Sequence, residues 1–94
     1  MRTPEGYQKA DVKKYLDTIG AYHFWPVPGG YGQQGVDCYA CVKGKFWAIE
    51  VKKDKKTMPT PRQFRTLDDV EKGGGRAVYG DASYIIEALR VDGN

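Results

Sequence analysis

Residues 36 to 52 read Val-Asp-Cys-Tyr-Ala-Cys-Val-Lys-Gly-Lys-Phe-Trp-Ala-Ile-Glu-Val-Lys, and this stretch decides the fold. Apolar residues alternate with other types from Val36 to Val42 and again from Trp47 to Val51, a period of two that predicts β-strands. Between them, Lys43-Gly44-Lys45 predicts a tight turn. The stretch therefore predicts a hairpin whose apolar face joins the core. That face carries Val36, Cys38, Ala40, Val42, Trp47, Ile49 and Val51.

The opposite face of this hairpin carries Asp37, Glu50 and Lys52. A two-residue turn, either Lys43-Gly44 or Gly44-Lys45, pairs Asp37 with Glu50 or with Lys52, and all three share a face in both registers. Directly opposed side chains lie about 4.5–5.5 Å apart at Cβ. Two carboxylates at that distance repel unless a proton or a cation separates them. Two interpretations follow: a metal-binding catalytic centre, or a pair of ordinary surface ions that contributes little to stability.

Helices and two more strands are predicted around the hairpin. Thr3-Pro4 and Thr60-Pro61 each combine an N-cap residue with proline at the first helical position. They predict helices from about residue 4 to residue 19 and from residue 61 to the glycines at 73–75. Asp81 is a cap for a third helix. Strands are expected at 21–27, where Pro26 indicates an edge or a bulge, and at 76–80. The predicted order is α-β-β-β-α-β-α, an α/β domain over residues 1–94 with a small mixed sheet flanked by helices.

Composition excludes some classes of function. The chain has 94 residues and a formal net charge of +3, which permits a polyanionic partner without requiring one. No apolar run is long enough to cross a bilayer, and the first residues lack an apolar signal region, so we expect no membrane partner and an intracellular, cytoplasmic protein.

Two local motifs resemble cofactor or metal sites, and both interpretations are rejected. Gly30 to Gly35 match G-x-G-x-x-G, but a strand follows the glycines where a dinucleotide site requires a helix. Cys38 and Cys41 form C-x-x-C, yet they point to opposite faces of a strand, and His23 is the only histidine available to a zinc site. We expect the cysteines to be reduced packing residues.

The carboxylates themselves indicate a different chemistry. Hard oxygen ligands suit Mg²⁺ or Mn²⁺, which need few protein carboxylates because water and substrate phosphate complete the shell. Lys52 lies beside Glu50, where an ammonium could position or deprotonate a water and balance the charge of a phosphate. Two acids and one lysine of this kind form a phosphodiesterase centre.

Asp37, twelve further residues and then Glu50-Val51-Lys52 resemble the PD-(D/E)-x-K nuclease signature, with Val36 where a proline often stands. Glu5, Gln63 and the 76–80 strand followed by Asp81-Ala82-Ser83-Tyr84 extend the resemblance over nearly the whole chain. The sequence is similar to the virus-type replication-repair nuclease family, VRR-NUC, in the short stand-alone form found in phages. The resemblance implies a restriction-endonuclease-like core.

The resemblance also implies roles for individual residues. Asp37, Glu50 and the backbone carbonyl of Val51 would hold Mg²⁺ or Mn²⁺, and Lys52 would act on the attacking water.

Two further residues keep alternatives. Glu5 would complete the site, directly or through a water, or would be a first-turn acid favoured by the helix dipole. Gln63 would contact Lys52 or the scissile phosphate, or would be an exposed helix former.

Contacts to DNA are expected from residues near this centre. Basic side chains would bind phosphates, with an affinity that falls as salt rises. Loop residues would touch the backbone or stack on a base. His23 and Trp25 are assigned to strand packing. The candidate nucleic-acid-binding residues are Lys53, Lys55, Lys56, Arg62, Arg65, Tyr31, Gln33 and Gln34.

The function that these observations favour is a Mg²⁺- or Mn²⁺-dependent DNA endonuclease. The resemblance points to a Holliday-junction resolvase-like activity on branched DNA by a homodimer, because a four-way junction has two-fold symmetry. One alternative is a non-catalytic nucleic-acid-binding module, for which two carboxylates facing DNA would be a liability. The other is a structural domain in which the same residues form surface pairs.

Overall fold

In the part of the chain that the structure describes, three helices and four strands follow one another in the predicted order α-β-β-β-α-β-α. The structure is a computed structural model, and it describes residues 2–27 and 35–92. The elements are α1 (Pro4–Thr18), β1 (Tyr22–Phe24), β2 (Cys38–Val42), β3 (Lys45–Val51), α2 (Pro61–Lys72), β4 (Arg76–Gly80) and α3 (Ala82–Asp92).

The helices begin where the capping residues predict. The Thr3 hydroxyl accepts a hydrogen bond from the Gly6 amide at 3.0 Å, and Asp81 accepts one from the Tyr84 amide at 3.0 Å. These bonds satisfy amides that have no partner within the helix. Helix α1 ends before Gly20, whose φ of +72° is a left-handed conformation that glycine adopts at little cost.

The hairpin register is the first of the two alternatives. Val42 pairs with Lys45 and Cys38 pairs with Ile49, so the turn residues are Lys43 and Gly44. Their φ angles of +51° and +83° match a turn of the mirror-image type, which suits the twist of a hairpin. This register places Asp37, just before β2, beside Glu50 near the end of β3.

The sheet order is β1-β2-β3-β4, with antiparallel pairing except between β3 and β4, which are parallel. The edge position that Pro26 indicates is correct for β1, although the strand covers only Tyr22–Phe24. Beyond it, Trp25 to Val27 leave the ladder because proline lacks an amide proton.

Helices cover the sheet on both faces. Helices α1 and α3 supply Val12, Leu16, Ile85 and Leu89 to the larger apolar cluster. Helix α2 covers the other face, where Leu67 packs with Ala48 and Val36 in a second cluster. No helix in the described ranges has the length and apolar character needed to span a bilayer.

Two sequence expectations about side-chain packing are wrong. Val36 belongs to the second cluster because β2 begins only at Cys38, so the strand alternation does not extend back to it. Cys38 is buried, but Cys41 is exposed and does not pack in the core. Both are free thiols, and they lie on opposite faces as expected.

Candidate active site

The candidate site lies at one end of the central strands. Asp37 immediately precedes β2, Glu50 lies near the end of β3, and Lys52 follows β3 directly. Strand β4 is parallel to β3 and ends beside it. The Gly80 carbonyl accepts a hydrogen bond from the Lys52 amide at 2.7 Å. That bond extends the β3–β4 ladder by one residue and fixes the backbone on which Lys52 stands. The hairpin and the parallel pair together bring the three side chains to one place.

Asp37 and Glu50 orient each other through backbone amides. The Asp37 amide donates to Glu50 Oε1 at 3.0 Å, and the Val51 amide donates to Asp37 Oδ2 at 2.9 Å. Each carboxylate therefore has one oxygen fixed by the opposing strand. The second oxygen of each meets a lysine: Glu50 Oε2 lies 3.1 Å from Lys52 Nζ, and Asp37 Oδ1 lies 3.4 Å from Lys9 Nζ.

Glu50 is a buried acid, with 2% of its surface exposed. Burial, and next the negative charge of Asp37, raise the pKa of Glu50 to about 7, although Lys52 and the Asp37 amide act in the opposite direction. A carboxylate in this position lacks sufficient positive charge nearby when it is ionised. The sequence predicted the face that Glu50 shares with Asp37, but not its burial, which follows from the cover that α2 provides.

Lys52 is held on two sides. Its ammonium donates to Gln63 Oε1 at 3.0 Å and pairs with Glu50 Oε2, and the residue is buried with 7% exposure. The same Gln63 oxygen accepts from the Thr60 amide at 2.9 Å, which completes a capping box at the start of α2. Gln63 therefore contacts Lys52, as one of its two interpretations expects. It also caps α2 and is half-buried, which differs from the exposed helix former of the alternative.

Lys9 is a residue of the site that the sequence analysis missed. Its ammonium lies between Glu5 Oε2, at 3.3 Å, and Asp37 Oδ1. Partial burial opposes its charge, but Asp37 and Glu5 outweigh that effect and raise the pKa of Lys9. Its spacing could have indicated it, because Glu5, Lys9, Val12 and Leu16 form one helical stripe whose last two members are buried.

Glu5 itself stands at the margin of the site. Its side chain is 41% exposed, and its contact with the other acids runs through Lys9. Within residues 2–27 and 35–92, no three histidine, cysteine or acidic side chains converge on one point as a metal-binding group would. In this arrangement Glu5 lies outside the pair that Asp37 and Glu50 form.

The donor set that remains is compatible with Mg²⁺ or Mn²⁺. Asp37 and Glu50 present hard oxygens whose orientation is fixed by backbone amides, and the Val51 carbonyl belongs to the same end of β3. Magnesium retains several waters and needs only one or two carboxylates. A divalent cation would also offset the mutual repulsion of two partly buried acids. The residues present thus fit such an ion.

The predicted DNA-contacting residues fall into two groups. Five are exposed, in the segment after β3 and on the first turns of α2: Lys53, Lys55, Lys56, Arg62 and Arg65. Three more, Tyr31, Gln33 and Gln34, lie outside the described residues.

The whole fold is similar to a solved structure described as a VRR_NUC domain. The two superpose with a TM-score of 0.77 at 26% sequence identity, over 94% of this chain and 95% of that one. No protein-family model matches the chain, and no curated protein does so. In this chain, Asp37, Glu50 and Lys52 follow one another with the spacing of the nuclease signature. The motif, the fold and this structural match together support the resemblance of the chain to VRR-NUC nuclease domains.

Proposed function

We propose that this protein is a metal-dependent endonuclease that hydrolyses phosphodiester bonds in branched DNA. The observation that supports the proposal best is the reciprocal bonding of Asp37 and Glu50 through each other's strand, with Lys52 held beside them. A surface ion pair would have no need of such constraint. Orienting groups before the substrate arrives is what electrostatic catalysis requires.

The proposed metal ligands are Asp37, Glu50 and the Val51 carbonyl, with Glu5 in the outer shell through Lys9 or a water. When bound, Mg²⁺ or Mn²⁺ would polarise a phosphoryl oxygen and lower the pKa of a coordinated water. The contribution of the chain is to hold these oxygens in place against their mutual repulsion.

Lys52 is proposed to orient the attacking water and to balance charge on the phosphate. An ammonium has three donors, and the described contacts direct two of them to Glu50 and Gln63. The tetrahedral geometry of the ammonium then fixes the direction of the third, which is left for a water or a phosphate oxygen. Burial strengthens such an interaction because the site has a low effective dielectric constant.

The proposed substrate is a four-way or otherwise branched DNA, and the proposed active form is a homodimer acting in the cytoplasm. Exposed basic residues around α2 supply phosphate contacts in this scheme. A junction has two-fold symmetry, which two identical active sites in a dimer would match.

The test is cleavage of an end-labelled four-way junction beside a linear duplex, with Mg²⁺, Mn²⁺ or EDTA. Wild type is compared with Lys52→Met, which nearly conserves volume at a buried position, and with Lys72→Met. Lys72 is an exposed lysine at the end of α2 that pairs with Asp68, so this control removes the same charge away from the site.

Paired symmetric nicks that disappear with EDTA and in Lys52→Met, but not in Lys72→Met, are the expected result. Metal-dependent cutting of other DNA forms, with the junction intact, would retain the nuclease and reject the junction as substrate. DNA binding without cleavage under every metal condition would instead favour the non-catalytic binding module.

A further inference from the structure

A cleft beside the carboxylates has cationic side chains that the nuclease motif does not include. Its volume is about 450 Å³, and its lining includes Lys9, Lys13, Trp25, Val36, Asp37 and Gln63. Because Asp37 and Gln63 belong to the candidate active site, the cleft opens directly onto it. A DNA strand that is cut at the carboxylates would extend either along this cleft or away from it.

Lys9 and Lys13 line this cleft from one face of α1. They are four residues apart, so their side chains project from successive turns and lie about 6 Å apart along the helix axis. Lys9 lies nearer the acids, where it contacts Asp37. Lys13 lies one turn farther from them. The two ammonium groups therefore form a short row of positive charge that leads away from the site.

Lys13 differs from Lys9 in how its charge is balanced. Within the described residues, no carboxylate lies within 4.0 Å of its ammonium, whereas Lys9 is paired twice. The Lys13 ammonium instead lies 4.8 Å from the centroid of the Trp25 ring, in a cation–π contact. Its charge is thus available to an anion, and its side chain is already restrained.

Trp25 is itself fixed by a series of hydrogen bonds. Its indole Nε1 donates to His23 Nδ1 at 2.8 Å, and His23 Nε2 lies 2.7 Å from Asp17 Oδ1. Since Nδ1 accepts from the indole, the proton of the neutral imidazole lies on Nε2, which donates to Asp17. Trp25 also packs against the larger core cluster. The ring that restrains Lys13 is therefore held by the fold.

Resting on the proposed function, we infer that this cleft binds the phosphate backbone of the DNA strand next to the scissile phosphate. Lys13 contacts a phosphate, Lys9 adds positive charge beside it, and Trp25 is a positioning residue for Lys13. The ligand chemistry follows from two cations in a row beside a phosphodiester centre. Restraint of Lys13 before binding lowers the entropy that the contact costs. The DNA is thereby contacted by residues of α1 as well as by the basic residues around α2.

The inference is tested by binding, without turnover. A fluorescently labelled four-way junction is titrated in EDTA at several salt concentrations with wild type, Lys13→Met, Lys13→Arg and Lys14→Met. Lys14 is the exposed neighbour of Lys13 and does not line the cleft, so its variant loses the same net charge. Each phosphate contact contributes about 0.9 to the slope of log affinity against log salt on duplex DNA.

We expect Lys13→Met to reduce that slope by about 0.9, so that its affinity falls roughly threefold less than that of wild type between about 50 and 200 mM salt. Lys13→Arg should restore the slope, and Lys14→Met should leave it unchanged. Equal slopes for Lys13→Met and Lys14→Met would reject a specific contact and favour a general effect of net charge. An absence of DNA binding by wild type would reject the inference altogether.

The role of Trp25 is tested by a double-mutant cycle with Trp25→Phe. If Trp25 acts by positioning Lys13, Trp25→Phe weakens binding in wild type but has no effect in Lys13→Met. Equal weakening in both backgrounds would indicate a merely structural effect of Trp25. These outcomes are separable from the nuclease proposal. Lys52-dependent cleavage with a normal Lys13→Met slope rejects only the cleft, and a Lys13-specific slope without cleavage rejects only the nuclease.

Discussion

The two lysines beside the carboxylates differ in how the protein holds them. Lys52 is 7% exposed and lies between Glu50 and Gln63 at the end of a central strand. The side chain of Lys9 is 34% exposed and reaches Asp37 and Glu5 from a helix. Lys52 balances Glu50 and Lys9 balances Asp37 and Glu5, but only Lys52 is enclosed by the fold. A buried pair has much to lose when one partner is removed, whereas a half-exposed pair is screened by water.

The comparison suggests a division of work across the site. The enclosed side, with Glu50, Lys52 and Gln63, has the fixed geometry that a chemical step needs. The open side, with Lys9 and Lys13, faces the cleft in which a DNA strand would bind. Substitutions on the enclosed side should therefore change the rate of cleavage, and those on the open side should change binding.

The largest effect is expected for Lys52. Lys52→Met should lower the cleavage rate about 10²–10³-fold, the usual loss when one positioned electrostatic group is removed from a catalytic site. Single-turnover kinetics at saturating protein separate this effect from binding. A cleavage rate of Lys52→Met within threefold of the Lys72→Met control would show that Lys52 does not take part in the chemical step. The proposed difference in function between Lys52 and Lys9 would then be wrong.

Glu50 should make the metal-free protein less stable as pH rises. Its pKa in the folded state is about 7, raised by burial and Asp37 from an ordinary value of 4.5. Between these values the folded state binds the proton and the unfolded state does not, so the free energy of unfolding falls with rising pH. The contribution of Glu50 should fall by on the order of 3 kcal/mol from pH 4.5 to above pH 7.

This dependence is measured by urea unfolding in EDTA at a series of pH values. Glu50→Gln should flatten the curve between pH 4.5 and 7 relative to wild type, and Glu87→Gln, at an exposed residue paired with Arg90, should not. Adding Mn²⁺ above pH 7 should stabilise wild type but not Glu50→Gln. A Mn²⁺ response that persists in Glu50→Gln would contradict the proposed ligand set.

The two roles of Gln63 can be separated because only one of them involves Lys52. Gln63→Ala removes both the capping box and the contact with Lys52, whereas Thr60→Ala removes only the side-chain cap. Each should lower the free energy of unfolding by about 1 kcal/mol, the typical cost of a lost N-cap. Only Gln63→Ala should also slow cleavage. Equal cleavage rates in the two variants would leave Gln63 as a helix cap alone.

The sequence predicted most of the enclosed side, because its information is local. The alternation of residues 38–42 and 47–51 and the Lys43-Gly44 turn together determine that Asp37 and Glu50 are neighbours. The burial of Glu50 and Lys52 could not be predicted in the same way, since it depends on how α2 packs over β3 and β4. Hydrophobic periodicity identifies the face of each element but not the partner that covers it.

The open side was mostly missed, because its contacts join distant parts of the chain. Glu5 and Lys9 form an (i, i+4) pair that is common on exposed helices, and nothing local distinguishes it from a surface pair. The contact of Lys13 with Trp25 depends on where β1 ends against α1. Trp25 was assigned to packing, which is correct for one part of the ring, while its contact with a cation emerges only from the tertiary arrangement.

The smallest effect is expected for Lys9, and its direction is opposite to that of the Lys52 variant. The Lys9 ammonium is 3.4 Å from Asp37 Oδ1, an oxygen proposed to bind the metal, and therefore opposes the approach of a divalent cation. Lys9→Met should tighten Mn²⁺ binding in the absence of DNA by about two- to fivefold, as expected for a half-exposed ion pair. Calorimetric titration measures this directly, with Lys14→Met as the control. Weaker Mn²⁺ binding in Lys9→Met would mean that Lys9 supports the metal site by orienting Asp37, and the open side would then share the work of the enclosed one.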